Sequence, residues 1–380
     1  MKKKFISLGM AVMMLLGVTG CAMKTPATAG TIGGVEIPAG IYLLAQYNAY
    51  NAAASAATLA TGETASDVKA VLKAECTGTI GDEEVTTNGK DYTARLTLRS
   101  LQYYAAVEAK FDELGGSLDD AATAEAAASA DSMWESNGDL YTANGISKTS
   151  VERYLLNSQK AQACLDLLYG DAGANPVSET EYTDYVNGNC YFIDSMQLPL
   201  LDYSTYAFAD ETQKATIDGY ADESIAMLDS YATAETAASD VYTSLYITAM
   251  NYLPSAFEAL GSTLDTNQLT YYIGSQLYTP ADLTNFDNAD GTNTLTSALD
   301  AVGYGKWTKV DLGTSILVLR QDNALESYTL DELKSNFGLL DAMKSEDLQK
   351  DLYAQGASME QNLNQSAMNT YSASKIKKSV

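Results

Sequence analysis

The chain has 380 residues, and its 49 acidic side chains against 23 basic ones give a formal net charge of −26. A surface this acidic disfavours nucleic acid and repels anionic lipid headgroups. The sequence contains no histidine, which excludes His-dependent catalytic triads, His-ligated zinc and the commonest acid–base catalyst. We expect no catalytic residue, no metal site and no cofactor. The length suits two or three domains.

The first 21 residues are typical of a bacterial lipoprotein signal peptide. Lys2 to Lys4 form a positive region, and Phe5 to Gly17 form an apolar run that is too short to span a bilayer comfortably. Val18 to Cys21 matches a lipobox, in which the Cys21 thiol is diacylated and becomes the new N-terminus. Loss of Lys2 to Lys4 would lower the net charge from −26 to −29, because the first acidic residue is Glu36.

This pattern predicts an extracytoplasmic protein that a lipid on Cys21 anchors to the outer face of the cell membrane. Because the body is acidic, the lipid has to provide the attachment. The alternative is an ordinary secretory signal in which Cys21 has no special role.

The N-terminal half is predicted to be mainly helical. Residues 22–29 form a short tether, and Thr31 to Ile37 predicts two short strands around a Gly-Gly turn. Pro38 is a favoured first residue of a helix. That helix carries on one face Leu43, Tyr47, Tyr50 and Ala54. Residues 78–89 predict a loop, and residues 91–114 predict a helix with Tyr104, Val107 and Phe111 buried.

An alanine-rich helix is expected to continue to Trp134. Ser147 is a suitable N-cap for the next helix, and Ser178 to Glu181 has the pattern of a capping box. Residues 190–201 predict an extended segment whose inward residues are Tyr191, Ile193, Met196 and Leu198.

The C-terminal half is predicted to mix helices with one clear hairpin. An amphipathic helix is expected around Ile217 to Leu228, followed by shorter, less regular segments to about residue 293. Residues 295–302 predict a short helix, and residues 307–310 with 314–319 predict a strand pair. A late helical stripe contains Leu330, Leu333, Phe337 and Leu340, and it continues through Leu348, Leu352, Met359 and Leu363. We expect Phe337 and Leu340 to share one core with Leu43 and Tyr47.

Three cysteines remain besides Cys21, and an odd number is a poor disulfide framework. Cys164 shares a helical apolar stripe with Leu165 and Leu168, which predicts a core residue. A bridge between Cys164 and Cys190 is the alternative.

Tyrosine is unusually abundant, with 26 residues against 7 phenylalanines. Its ring and polar tip suit a cleft that holds apolar peptides loosely. Tyrosines at the rims of an ordinary helical core are the alternative interpretation. The candidate peptide-binding residues are Tyr47, Tyr50, Tyr104, Tyr154 and Tyr185.

Four segments resemble motifs of the PrsA/SurA-type foldases. Ile32 to Pro38, just after the lipobox, resembles their opening strand–turn–strand, and Phe111 to Leu118 resembles a step between two helices. Leu167 to Tyr182 resembles a helix start of these proteins, and Met359 to Lys378 resembles the late segment of clostridial lipoproteins of this kind. Together these motifs cover about half of the chain.

The resemblance implies a mainly α fold with short β-hairpins, of the α+β class. A helical chaperone domain of the SurA/trigger-factor type would be formed by residues 30–200 and 326–380. Residues 201–325 would form an inserted, parvulin-like α+β domain, since Leu295 to Leu299 and Trp307 to Arg320 resemble its last helix and final strands. Parvulin sites are built around histidines, so no catalytic residue carries over to this chain.

These features predict a lipid-anchored chaperone or foldase-like protein that binds unfolded or newly exported polypeptides without covalent chemistry. Its other partner is the membrane, through the lipid, and nucleic acid is not expected. An active peptidyl-prolyl isomerase is one alternative. A non-enzymatic surface lipoprotein that binds one dedicated partner is the other.

Overall fold

The computed structural model describes residues 27–62, 67–231 and 238–379. The predicted signal peptide with Cys21, and residues 22–26 of the expected tether, lie outside these ranges. The chain divides into two compact units, of which the first contains Met1–Cys164 and Gln349–Val380 and the second contains Leu165–Leu348. Over the described ranges, no helix has the length and apolar character needed to cross a membrane.

The elements up to the middle of the chain are β1 (Thr28–Ile32), β2 (Val35–Pro38), α1 (Ala39–Thr61), α2 (Val68–Lys73), β3 (Glu75–Ile80), β4 (Glu83–Asn88), α3 (Gly89–Glu113), α4 (Asp120–Ala143), α5 (Lys148–Tyr169) and α6 (Glu179–Asn189). The remaining elements are β5 (Tyr191–Pro199), β6 (Leu201–Asp202), β7 (Ala207–Phe208), α7 (Glu211–Tyr231), α8 (Ala238–Ala259), β8 (Ile273–Tyr278), α9 (Pro280–Leu283), α10 (Thr294–Val302), β9 (Trp307–Asp311), β10 (Ser315–Asp322), α11 (Ala324–Ser327), α12 (Leu330–Phe337), α13 (Leu339–Ser358), β11 (Gln361–Leu363) and α14 (Gln365–Thr370). The predicted class is confirmed, because the fold is mostly helical with small antiparallel sheets.

The first unit contains a three-stranded antiparallel sheet in the order β11-β1-β2. The expected strand–turn–strand is confirmed, although β1 already begins at Thr28, within the segment assigned to the tether. Gly30 of β1 pairs with Leu363 of β11. Its φ is +117°, and a Cβ there would lie 2.3 Å from the carbonyl oxygen of Asn362, so only glycine fits without displacing β11.

Helices α1 and α3 pack against this sheet and enclose one of the cores of the first unit. Buried residues of this core include Ile32, Ile37, Ile41 and Leu101, and the late residues Ala367 and Tyr371 join them. The first unit therefore combines early and late segments of the chain.

The prediction of a loop at residues 78–89 is wrong, since β3 and β4 form an antiparallel hairpin there. Its strands are rich in Thr and Glu and carry few apolar residues, which hid the strand pattern. Cys76 and Val85 are the buried residues of the hairpin and face a core that includes Tyr50 and Val71.

The second unit is built on a four-stranded antiparallel sheet in the order β8-β5-β10-β9. One face carries Met196, Leu198 and Val318, which pack with residues of α7 and α8. The other face carries Ile193, Leu317 and Leu319, which pack with α10. Strand β5 is central and buried on both faces, so this sheet begins before residue 201, where the inserted domain was expected to start.

The expectation of short, irregular segments up to residue 293 is wrong over α8, a helix of 22 residues with Pro254 in its interior. The prediction that Phe337 and Leu340 share one core with Leu43 and Tyr47 is also wrong. They pack with Val177 and Tyr182 in the second unit, whereas Leu43 packs in the first. Gly338 separates α12 from α13 in a left-handed conformation and so breaks the predicted continuous stripe.

The three cysteines of the described ranges are free and buried. Cys164 is a core residue, and no bridge joins it to Cys190. Burial raises the pKa of the Cys164 thiol to about 11 and that of Cys190 to about 12. Thiolate is the reactive form of cysteine, so both side chains are chemically quiet at neutral pH.

Candidate functional site

A cavity of about 710 Å³ lies within the first unit, between α1, α3 and the segment that begins with β11. This volume is in the range of sites that bind small molecules or peptide side chains. The residues that line it are Tyr42, Gln46, Leu72, Lys90, Thr93, Ala94, Thr97, Leu98, Leu101, Gln361, Leu363, Gln365, Met368, Asn369 and Ser372 to Ser374.

Helix α3 forms one wall, because Ala94, Leu98 and Leu101 recur at helical spacing on the face turned to the cavity. Thr93 and Thr97 lie on the same wall. Their hydroxyl groups donate hydrogen bonds to the backbone oxygens four residues earlier, each at 2.7 Å. With those hydroxyls occupied, α3 presents a mainly apolar wall. Leu363 and Met368 add apolar surface from the C-terminal segment.

Primary amides form the polar part of the lining. Gln46 is buried and donates a hydrogen bond from Nε2 to the Tyr42 hydroxyl oxygen at 3.0 Å. Burial raises the pKa of Tyr42, so this phenol stays neutral. Gln365 donates from Nε2 to Oδ1 of Asn369 at 3.2 Å. An amide offers both a donor and an acceptor, which matches the two polar groups of a peptide backbone.

The cavity is also distinguished by its charge. Among the described residues that line it, Lys90 is the one side chain charged at neutral pH, and there is no carboxylate. The chain as a whole has 49 acidic residues. A lining with one cation and no carboxylate, in such an acidic protein, favours a neutral, partly apolar ligand.

The structure does not bring the five candidate tyrosines together at this cavity, and none of them lines it. Tyr50 and Tyr104 are buried in the core, and their role in binding peptides also stays a prediction. Burial raises the pKa of Tyr104 to about 12.

The other three tyrosines are partly buried. Tyr47 makes an edge-to-face contact with Tyr141, with ring centroids 5.9 Å apart. Tyr154 packs with Leu155 in the same core. Tyr185 belongs to the second unit and donates a hydrogen bond to the carbonyl oxygen of Ala342 at 3.3 Å. Their role in binding peptides stays a prediction.

Large exposed apolar side chains concentrate in the second unit. Over the described ranges, all ten of them lie there, with Tyr206 and Tyr271 about four-fifths exposed. Tyr242, Tyr246 and Met250 follow one another at four-residue spacing on α8. They form an apolar stripe along the border of the buried face of that helix, and we call it the α8 stripe.

Sequence reasoning missed the cavity, although one signal pointed to it. Residues 361–380 contain no Asp or Glu, which is unusual in this chain, and they include five Asn or Gln between Gln361 and Asn369. That change in composition marks the segment that supplies much of the lining. The contribution of α3 could not be read in the same way, since its residues 94 and 98 belong to an ordinary apolar stripe.

No protein-family model matches the chain, and no curated protein matches it in sequence. Among solved structures, the foldase protein PrsA from Streptococcus pneumoniae strain Canada MDR_19A is similar, with a TM-score of 0.37 and 9% identity. The alignment covers 78% of this chain and 98% of that protein. A likeness at this level carries no argument about this chain, and the grounds for a function lie in its own side chains.

Proposed function

We propose that this protein is a lipid-anchored extracytoplasmic chaperone that binds unfolded or newly exported polypeptides without covalent chemistry. The observation that carries the proposal is the cavity, whose walls are mainly apolar and whose polar groups, apart from Lys90, are uncharged amides and hydroxyl groups. Unfolded segments expose apolar side chains next to unpaired peptide groups, and this lining offers partners to both.

The exposed apolar residues of the second unit, including the α8 stripe, provide a further surface for such segments. Binding to two separate surfaces would be weak at each of them. A roughly micromolar dissociation constant corresponds to about 8 kcal/mol, which is enough to delay aggregation and still allow release. The acidity of the protein would help to keep a complex in solution.

Two matched variants test the cavity. Ala94 is an exposed residue of α3 that lines the cavity, and Ala124 is an exposed residue of α4 that does not. Ala94→Asp places a carboxylate in a lining that has none, so we expect it to weaken the binding of a neutral, apolar fluorescent peptide by about tenfold, or about 1.4 kcal/mol. Ala124→Asp adds the same charge elsewhere and should leave the affinity unchanged.

Fluorescence anisotropy measures the affinity, and light scattering of an aggregating model protein measures the chaperone effect. Equal affinities for the two variants would show that the cavity does not bind the peptide. Failure of the unsubstituted protein to slow aggregation of several substrates would contradict the proposed function as a whole.

A surface lipoprotein with one dedicated partner is a second candidate, and the α8 stripe favours it. An apolar stripe on an otherwise regular helix suits a partner of fixed shape. Replacement of Tyr242, Tyr246 and Met250 by Ser should then abolish capture of a single stoichiometric partner and leave peptide binding intact. If the wild-type protein retains many different exported chains instead, the chaperone proposal is favoured.

A further inference from the structure

We propose that the bound polypeptide adds a strand to the free edge of β11 and turns alternate side chains into the cavity. This inference rests on the proposed function and deepens it, since it names how the segment is held. The partner is an unfolded chain segment in an extended conformation, with uncharged apolar residues at every second position.

The hydrogen-bond register identifies the free edge. Backbone hydrogen bonds join the amide of Asn364 to the carbonyl of Ala29 and the amide of Gly33 to the carbonyl of Glu360, each at 2.8 Å. In an antiparallel ladder, paired residues alternate between those that exchange hydrogen bonds and those that do not. Gln361 pairs with Ile32 and Leu363 pairs with Gly30, and neither pair exchanges hydrogen bonds.

The N–H and C=O groups of Gln361 and Leu363 therefore point away from β1. Strand β11 is at the edge of its sheet, and in the described part of the chain no strand pairs with its outer side. Unpaired groups on an edge strand are a template for another extended chain. Strand β11 is only three residues long. Such a short edge limits aggregation with other strands and suits a short polypeptide segment.

The same two residues line the cavity, so the free edge and the apolar walls are adjacent. Side chains alternate between the faces of a strand. Leu363 packs against the core that contains Ile32, and a strand added beside β11 would send every second side chain toward that same face. Those side chains would meet Leu98 and Met368, and the intervening ones would face solvent.

The amides of the lining provide additional partners for the added backbone. Gln361 and Gln365 are exposed residues at the rim and carry no charge. An acidic segment would find no cation there besides Lys90, and a strongly basic one would find no carboxylate. The lining thus selects for uncharged segments, and the edge selects for extended ones.

Backbone methylation of the ligand tests strand addition directly. The probe is a capped, fluorescent peptide in which Leu and Thr alternate, with N-methyl groups either on all Leu residues or on all Thr residues. When the Leu side chains enter the cavity, the N–H groups of the Leu residues point toward β11 and those of the Thr residues point away from it. We expect the peptide methylated on Leu to lose at least tenfold in affinity and the peptide methylated on Thr to bind as the parent does. A shift by one residue cannot rescue binding, because it turns the Leu side chains away from the cavity.

A matched pair of protein variants tests the edge itself. Gln361→Pro removes an N–H that points outward, and proline is tolerated at such positions of edge strands. Gln361→Ala removes the same side chain and keeps the N–H. We expect the proline variant to bind the parent peptide several-fold more weakly than the alanine variant. The thermal transition of both variants should match, which confirms that the sheet is intact.

The outcomes separate this inference from the proposed function. If Ala94→Asp abolishes binding but the two methylated peptides bind alike, or the two Gln361 variants bind alike, the cavity binds polypeptide without strand addition and the inference is overturned. If the parent peptide does not bind the unsubstituted protein at all, the proposed function fails as well. Strand addition is supported if only one of the two methylated peptides loses affinity and if Gln361→Pro binds the parent peptide more weakly than Gln361→Ala.

Discussion

Asp194 is a buried carboxyl group on the central strand β5 of the second unit. Burial raises its pKa to about 6, although a hydrogen bond from Ser275 and the nearby Arg320 guanidinium partly oppose this shift. Arg320 also pairs with Asp322, and its buried Nε has no hydrogen-bond partner in the described structure. The sheet therefore contains a polar cluster whose charge is costly to keep away from water.

The raised pKa makes stability depend on pH in a definite direction. The folded state binds the Asp194 proton more tightly than the unfolded state, whose pKa is near 3.8. The stability contributed by the protonated form is present below pH 4 and is lost as the pH rises through about 6. A shift of about two pKa units corresponds to about 3 kcal/mol.

Asp194→Asn should therefore gain stability relative to the wild type as the pH rises from 4 to 7. Urea titrations at several pH values measure this difference. The chain has two tryptophans, Trp134 in the first unit and Trp307 in the second. A Trp134→Phe background makes fluorescence report on the second unit alone.

Asp290 provides the control for this measurement. Its pKa is lowered by hydrogen bonds from the hydroxyl and backbone N–H of Thr292. Asp290→Asn should therefore lose stability relative to the wild type only as the pH rises towards about 4, and the difference should stay nearly constant between pH 4 and 7. A pH-independent difference between wild type and Asp194→Asn would show that Asp194 is ionised in the folded state at pH 4, contrary to our expectation.

Several elements could be predicted from local chemistry alone. The capping box at Ser178 and Glu181 is present, with both reciprocal hydrogen bonds. The hairpin of β9 and β10 is also where the sequence placed it. In each of these cases the signal lies within a few consecutive residues, either as cap residues at fixed spacing or as apolar runs around a turn.

Other elements could not be predicted because their signal lies in a distant partner. The β3–β4 hairpin has few apolar residues, and its stability depends on α1 and α2 covering Cys76 and Val85. The segment of β11 resembled a continuing helical stripe through Met359 and Leu363, and its pairing with β1 could not be inferred from spacing. The cavity depends on that pairing, so its site was equally hidden.

The late residues are expected to be essential for the first unit and dispensable for the second. Deletion of residues 359–380 removes β11 and the buried Ala367 and Tyr371 from the core of the first unit. In a Trp307→Phe background, the fluorescence of Trp134 should show a thermal transition with a lower midpoint temperature, or no transition at all. With Trp134→Phe, the transition reported by Trp307 should be unchanged.

A chain that ends at Lys378 is the control for this truncation, because it keeps every residue of that core and the hydrogen bonds between Asn144 and Lys377. It should melt as the full chain does. If the chain without residues 359–380 keeps the wild-type Trp134 transition, the first unit does not need its C-terminal segment.

The protein as a whole is expected to slow aggregation without accelerating proline isomerisation. Isomerisation has a barrier of about 18–20 kcal/mol, and a catalyst must lower it with positioned groups. The family that the sequence resembles builds such sites around histidines, and this chain has none. Refolding of a proline-limited substrate should proceed at its spontaneous rate of tens to hundreds of seconds, with an active parvulin as positive control. Clear acceleration by this protein would favour the isomerase alternative.

Attachment to the membrane is proposed to depend on Cys21 alone. A thiol is required for diacylation, and a protein with a net charge of −26 has no electrostatic attraction to anionic lipid. Cys21→Ser should therefore appear in the medium or stay unprocessed, as fractionation and immunoblotting would show. A variant of mature size that stays on the membrane at the wild-type level would contradict the anchor.

The pairing of β1 with β11 has a consequence for the order in which the protein folds as the chain is synthesised. Gly30 and Leu363 are neighbours across this ladder, although about 330 residues of chain separate them. The chain is made from N-terminus to C-terminus, so β1 cannot pair with β11 until the whole of Leu165–Leu348, one uninterrupted stretch, has been made. Once that stretch has folded, it shortens the flexible chain between the two strands and lowers the entropic cost of closing the loop. The middle of the protein would then mature first, and the binding cavity would be completed last.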